Sequence, residues 1–540
     1  MKLVERVTNI HRKWGWILGL IWLTTLGPAW AEDATAPEAG ATAPPTFDLL
    51  EIRVVGNSVL DNRTIEKTVY PFLGPGKGIA EIDSARQALE AVYHERGYQT
   101  VFVNIPEQDV ENGLVRLEVA EGKIDRLKIT GSRYYSLGRI RERVPELAEG
   151  KVPHTPTLEK EITRLSEESK DRRVTPMLRA GTTPGTVEAE LKVDDELPVH
   201  GSVEMNGRNS VGTSRTRLTA SLRYDNLWQR HHSASLQYQT APEEQDVEVW
   251  AGTYVMPLFD NGMRLALYGV GVDSTSEVAS AGALSVVGTG HIFGMRLIKP
   301  FENLGDYSHS LSAGLDYKSF DQAIFQQGAD TGNSPLSYLP FMVRYDGGWK
   351  VQGSSVTSIG LETRFSVRGL GNDQQEFEDR RFKSRPDFIY FVGELKHQHV
   401  LPGDLRLAAR VSGQVADSPL ISNEQFAAGG DDTVRGYHEV QELGDHGVIG
   451  SLELHSPNMN YWESVDNLRG LMFVDAARLW IEDALPGTPE RSSLASAGLG
   501  LRMEIWKHLS GVFDWAYPLV SAGTVGQGEQ RVHFKVAYEF

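Results

Sequence analysis

No cysteine occurs among the 540 residues, so disulfides staple no part of this fold and stability must come from size or from a closed sheet. Apolar runs are equally scarce. After residues 16–23 no stretch approaches the roughly 20 residues a membrane-crossing helix needs. A basic surplus is also missing: the formal charge is −18, which argues against nucleic-acid binding, since that calls for a basic face. The chain carries no GxSxG, no P-loop and no GxGxxG; Gly498-Leu499-Gly500 runs on into Leu501-Arg502-Met503 as a strand. With no nucleophile, base and orienting group in evident relation, the expectation is a protein that is not an enzyme and uses neither cofactor nor metal. Any transport it performs draws its energy from elsewhere.

What is present begins with a secretory signal over residues 1–31. Lys2, Arg6, Arg12 and Lys13 precede the apolar Trp16–Leu23, and Ala29-Trp30-Ala31 offers small residues for cleavage. A membrane anchor is the alternative, disfavoured by the shortness of the run. Residues 32–46, rich in Ala, Pro and Thr, read as a flexible linker.

Two small α+β modules follow, at 47–123 and 124–197. In the first, Leu50 to Val54 alternates as a strand and Gly56-Asn57 turns. A helix capped by Asp61 or Asn62 sets Ile65, Val69 and Phe72 on one face, and a second carries Ile82, Ala85, Leu89 and Val92, ending at Gly97. Strands at 100–105 and 113–119 complete it. The order then repeats: strand 124–130, helices 136–148 and 157–168, strands 174–179 and 186–193.

Over residues 198–540 helical periodicity gives way to sixteen stretches of two-residue alternation, with cores beginning near 200, 216, 231, 246, 263, 283, 307, 336, 354, 386, 405, 447, 467, 492, 508 and 530. In the last, Val532, Phe534, Val536, Tyr538 and Phe540 oppose Arg531, His533, Lys535 and Glu539. A soluble sandwich also alternates, but the connections discriminate. Even-to-odd links are short (LWQR, PLFDNG, LPGD, WKH), whereas 319–335, 370–385, 418–446 and 481–491 are long. Short turns at one rim, long loops at the other and an even strand number describe an all-β outer-membrane barrel of 16 antiparallel strands, wide enough for a porin-like channel or a plug. Both ends of such a barrel lie on one side, which puts the modules in the periplasm.

Val434-Arg435-Gly436-Tyr437 falls between the eleventh and twelfth strands, in the sixth long-rim loop, and Phe473-Val474-Asp475 falls in the thirteenth strand. A guanidinium and a carboxylate so placed can form a two-pronged, charge-assisted contact. If Asp475 faces the lumen so does Phe473, while Met472, Val474 and Ala476 face lipid.

On these motifs, with YHERGYQTVFV at 93–103, VAEGKI at 119–124 and RRVTPMLRAGTTPGTVEAELKV at 172–193, the chain resembles the two-partner secretion transporters, or haemolysin secretion/activation proteins. The resemblance covers residues 48–540 and makes the modules polypeptide-transport-associated (POTRA) domains. It implies an outer-membrane translocator that exports a large partner exoprotein of haemolysin or adhesin type, its POTRA domains binding the unfolded client and its barrel forming the pore. It further implies that loop 6 folds into the lumen so that Arg435 meets Asp475 as a latch, and that Phe540 ends the signal read by the barrel-assembly machinery. Periplasmic chaperones and outer-membrane lipid are the other implied partners. Ala477 stands where many relatives have glycine, and 32–46 lacks the amphipathic pattern of a plug helix.

Plainer readings stand beside these. Arg435 could be a solvated loop residue, Asp475 a lumen polar residue, and Phe540 an ordinary lipid-facing aromatic. His397 and His399 share a strand face that could ligate metal but have no evident acidic partner. Asp431-Asp432 reads as a solvated acid pair. The rival functions are a barrel-assembly factor, expected to carry more periplasmic modules, and a diffusion porin, which needs neither modules nor a VRGY loop.

Overall fold

The computed structural model describes residues 46–110, 112–243, 247–259, 261–274, 279–281, 284–286, 289–321, 335–351, 353–459 and 462–540. The expected signal and nearly all of the linker lie outside these residues. The chain divides into two compact units. One takes in Asp61–Leu89, Asn104–Glu118 and the described residues up to Val55; the other holds Gly56–Leu60, Glu90–Val103 and Val119–Phe540.

In the first unit, strand Glu51–Val55 runs parallel to residues 114–118. Helix Asn62–Val69 is capped by Asp61, whose side chain accepts from the Thr64 N–H at 2.9 Å. Ile52, Ile65, Val69, Ile82, Ala85, Leu89, Val115 and Leu117 are buried, the apolar faces that the periodicity marks out. An extra pairing of Phe47–Leu49 with Gly74–Lys77 was not expected; strand Gly74–Lys77 is GPGK, which carries no alternating signal.

The second unit opens with the repeat of the motif. Strand Lys123–Thr130 lies parallel to Thr186–Asp195, which pairs antiparallel with Arg172–Ala180. Helices Leu137–Glu142 and Thr155–Glu167 cover one face of this sheet around Ile140, Leu147, Leu158, Leu165, Ala189 and Leu191. The single helix expected over 136–148 is broken, because Pro145 lacks an N–H and starts a separate 3-10 turn at Pro145–Leu147.

Val199–Asn206 then begins a closed antiparallel barrel of sixteen long strands, sealed where Arg531–Glu539 pairs back onto it. Two expected strands move. The alternation near 283 belongs to a small hairpin, Ala279–Ala281 with Leu284–Val286, and the sixth wall strand is Gly290–Pro300. Likewise Leu336–Tyr338 is a short piece paired to the end of the seventh strand, and the eighth proper is Phe341–Val351. Between them stands Pro340, which cannot donate to a ladder. Alternation reports that a segment is extended, not which neighbour it pairs with. The long fifth loop, 366–388, contains a seven-residue helix, Gln374–Arg380. Among the described residues no helix is long and apolar enough to cross a membrane; the barrel crosses with strands.

Candidate functional site: the sixth loop inside the barrel

The thirteenth strand, Val465–Trp480, sorts its side chains by parity. Leu471, Phe473, Asp475, Ala477 and Leu479 are buried inside the barrel, whereas Met472 and Val474 are exposed on the outer wall. The sixth loop, 417–445, folds against that inner face and brings Val434-Arg435-Gly436-Tyr437 to it. Arg435 donates from Nε to Asp475 Oδ2 at 2.7 Å and from Nη2 to Oδ1 at 2.9 Å, a bidentate contact, while its backbone N–H reaches Oδ2 at 3.2 Å. The guanidinium carbon sits over the Phe473 ring, 3.5 Å from its centroid. Phe473 thus forms the floor under the ion pair and Asp475 its wall.

Several partners were not read from the sequence. Glu453 on the twelfth strand is 2.7 Å from Arg435 Nη1, and Asp514 on the fifteenth is 3.6 Å from it. Ser451 donates to Asp475 Oδ1 at 2.7 Å. Arg502 forks onto Asp514 at 2.7 and 2.9 Å. One loop arginine therefore sits among three carboxylates from three strands, with a second arginine behind them. The signal was present: Asp514 between Phe513 and Trp515 is a lone acid in an aromatic strand, a polar inward position flanked by lipid-facing rings.

The neighbours of Arg435 fix the tip. Val434 and Tyr437 are fully buried and pack with Ile449, Ala477, Leu479 and Leu494. Ala477 therefore accommodates the loop; its methyl belongs to the contact. The Tyr437 hydroxyl lies 2.7 Å from the Val520 carbonyl and 2.9 Å from that of Ala495. Gly436 has φ +95, and its N–H donates to His533 Nε2 at 2.9 Å. Asp431 and Asp432 differ from the solvated pair expected. Arg208, just beyond the first strand, pairs with both, at 2.9 Å to Asp431, and only Asp432 stays open to solvent.

Phe540 closes the barrel seam. Its N–H and carbonyl exchange hydrogen bonds with Gly201, each 3.0 Å. A Cβ on Gly201 would come within 2.3 Å of the Phe540 ring, so this glycine makes room for the terminal aromatic. His397 and His399 stack at 6.2 Å, and His397 Nδ1 meets Thr357 Oγ1 at 2.8 Å.

At the short-turn rim the second module meets the barrel. Asn226 and Gln229 donate to the Tyr134 carbonyl at 3.2 and 3.0 Å, and Gln229 accepts from the Ser136 N–H at 2.9 Å. Here Asp171, His200 and Asp225 form the one group, among the described residues, spaced for three ligands to share a cation. His200 Nε2 is 3.1 Å from Asp171 and 3.3 Å from Asp225, and Arg223 lies 2.8 Å from Asp225. Two carboxylates facing an arginine and a histidine already form a hydrogen-bonded network, which ties the module to the first two strands.

A sixteen-stranded closed barrel, an inward-folded loop carrying a buried arginine and small α+β modules before the wall define a loop-filled outer-membrane β-barrel preceded by soluble-type modules, an architecture shared by secretion transporters and assembly factors. The model of the haemolysin secretion/activation proteins ShlB/FhaC/HecB matches residues 185–503, and that of the ShlB-type POTRA domain matches 47–122. The chain belongs to this haemolysin secretion/activation family, whose members are outer-membrane translocators for partner exoproteins. It is 24% identical over 524 residues to the outer membrane transporter CdiB of Escherichia coli, covering 94% of this chain and 84% of that one. The solved structure of CdiB from Escherichia coli superposes with TM-score 0.58 at 20% identity, over 94% of this chain and 93% of that. BamA from Haemophilus ducreyi lacking POTRA domains 1–3 matches with TM-score 0.56 at 15% identity, over 92% of this chain and all of that one (100%). The shared barrel alone does not separate secretion from assembly; the family match does.

Proposed function

We propose that this transporter captures an unfolded exoprotein on two periplasmic POTRA domains, residues 47–123 and 124–197, and passes it through a barrel, residues 198–540, whose sixth loop is a removable latch. The client is a haemolysin or adhesin type of exoprotein, met in the periplasm in the company of chaperones. Capture proceeds in part by adding a client segment to an exposed sheet edge. Strand Arg172–Ala180, paired on one side only, supports that reading. The barrel-assembly machinery inserts the chain into outer-membrane lipid, reading the strand that ends at Phe540. The work is conduction rather than catalysis.

The observation that carries the latch is the burial of Arg435 against Asp475 and Glu453. A charge pair held away from bulk water loses about 3–5 kcal/mol when one partner is removed, so the loop rests firmly in place until passage displaces it. Arg435→Ala should lower secretion of the partner while the barrel still reaches the outer membrane. Secretion at the wild-type level by that variant would overturn the latch.

A further inference from the structure

The tip is only one of the places where the sixth loop is fastened. At its start, Glu424 is buried and its carboxylate gathers donors from three other elements: Lys318 of the seventh strand at 2.5 Å, Tyr338 of the short piece before the eighth at 2.6 Å, and Tyr390 of the tenth strand at 2.6 Å. An aromatic and aliphatic cluster including Phe320, Phe377, Phe388, Leu420 and Ile421 packs around these tyrosines. At the loop's end Asp445, also fully buried, takes a bidentate contact from Arg381 of the fifth loop, with Nη2 to Oδ2 at 2.6 Å. Arg381 additionally donates to the Leu420 carbonyl at 2.5 Å and to the Glu482 carbonyl at 3.0 Å. Asp445 in turn accepts from the backbone N–H groups of Leu420 at 2.9 Å and Glu482 at 2.8 Å. Gln414, the last residue of the eleventh strand to pair with the twelfth, spans both ends of the loop through the carbonyls of Glu424 and Asp445 at 3.1 and 3.2 Å.

These contacts lie on the long-loop side and share no residue with the Arg435 cluster. Each buries a carboxylate completely; Glu424 takes its donors from elements other than the sixth loop, and Asp445 joins the loop's own Leu420 N–H to Arg381 and the Glu482 N–H outside it. A buried carboxylate so satisfied holds its partners in one arrangement, since parting from them leaves an unpaired charge. For the loop tip to leave the lumen its two ends must shift, and both ends are pinned. We infer that Glu424 and the Arg381–Asp445 pair are positioning residues that hold the sixth loop closed at the mouth, so that release of Arg435 from Asp475 does not by itself open the pore. The fifth loop, through Arg381 and the helix Gln374–Arg380, becomes part of the closure. This rests on the sixth loop being a removable obstruction, the reading proposed above, but concerns a different set of residues.

The absence of native cysteine permits a clean test. Ala428→Cys places a thiol on the buried short strand Phe426–Ala428 of the sixth loop. The full-length protein carrying it, reconstituted in lipid vesicles, is labelled with a water-soluble maleimide, and its opening events are counted in planar bilayers. With Arg435 intact, Arg381→Gln and, separately, Glu424→Gln should each raise the labelling rate and opening frequency at least about tenfold, because a buried charge loses its partner. Arg381→Lys, which keeps the charge but not the fork, should fall between. Heat-modifiable migration on gels checks that each barrel is inserted and closed. Labelling and opening equal to the Ala428→Cys parent in both Gln variants would overturn the inference. So would failure of all three variants to insert, since the residues would then serve barrel formation and not the loop. Normal secretion by Arg435→Ala would instead sink the tip latch, leaving the measurement at the mouth to stand on its own.

Discussion

At the scale of single residues, Arg435 is specified by shape as much as by charge. It forks onto Asp475, lies on Phe473 and still reaches Glu453, a set that a lysine ammonium cannot reproduce because it has no plane and no fork. Arg435→Lys should therefore behave closer to Arg435→Ala than to wild type in partner secretion, with surface exoprotein measured against barrel level. Gly436 is constrained differently. Its φ of +95 lies in the left-handed region, and a Cβ would stand 3.2 Å from Pro518 and 3.3 Å from Ala516. Gly436→Ala should cost about 1–3 kcal/mol of loop stability, visible as a lower temperature for heat-induced unfolding of the inserted barrel.

At the scale of elements, two contacts decide how the wall is finished. Strands sixteen and one share only the run from Lys535–Asn206 to Glu539–Ser202, against fifteen aligned partners between strands thirteen and fourteen, so each hydrogen bond at the seam matters more. Phe540 adds two and seats its ring over Gly201. Deleting Phe540 should lower the amount of protein in the outer membrane; unchanged levels would remove it from both closure and the assembly signal. At the same short-turn rim His231, in the turn between the second and third strands, stacks on Tyr135 with Glu168 at 3.4 Å. Burial first, then the Arg172 and Arg143 guanidinium groups and His232, push its imidazole down to about 4. A histidine depressed from about 6.5 is held neutral in the docked state, so its contribution is complete above that value and is lost as the pH falls toward 4. Docking of the second module should loosen between pH 6.5 and 4, read as faster proteolysis of the 196–198 connection to the barrel. His231→Gln should flatten that dependence.

At the scale of the whole molecule, the barrel is closed and its interior is occupied by its own loop, while the modules stand in sequence before the wall. Deleting residues 48–195 should abolish export of the partner yet leave a measurable ion conductance in planar bilayers. Loss of conductance together with export would mean that the barrel does not form alone, which its own seam and core do not suggest.

Strand number, parity of the thirteenth strand and the order of both modules follow from local rules, whereas the pairing of Arg435 with Asp475 follows from the family resemblance of their motifs. Alternation has period two, turn lengths mark the rims, and a motif names two ends of a contact. The rest depends on who meets whom across the lumen. Nothing local says that Glu453 and Asp514 turn toward one arginine, that Asp431 finds Arg208, or that Asp445 and Glu424 are buried in loops that look solvated. Asp431 and Arg208 lie ten strands apart in the chain, and it is the closed wall and the inward fold of the loop that set all these partners side by side. Proline at 340 and the hairpin at 279–286 show the same limit, since a segment's extension is written in its own residues but its neighbour is not. The sequence by itself thus determined a wall, two modules and one contact; the tertiary structure decided how that contact is surrounded and where else the loop is held, because burial of charge exists only once the barrel is shut.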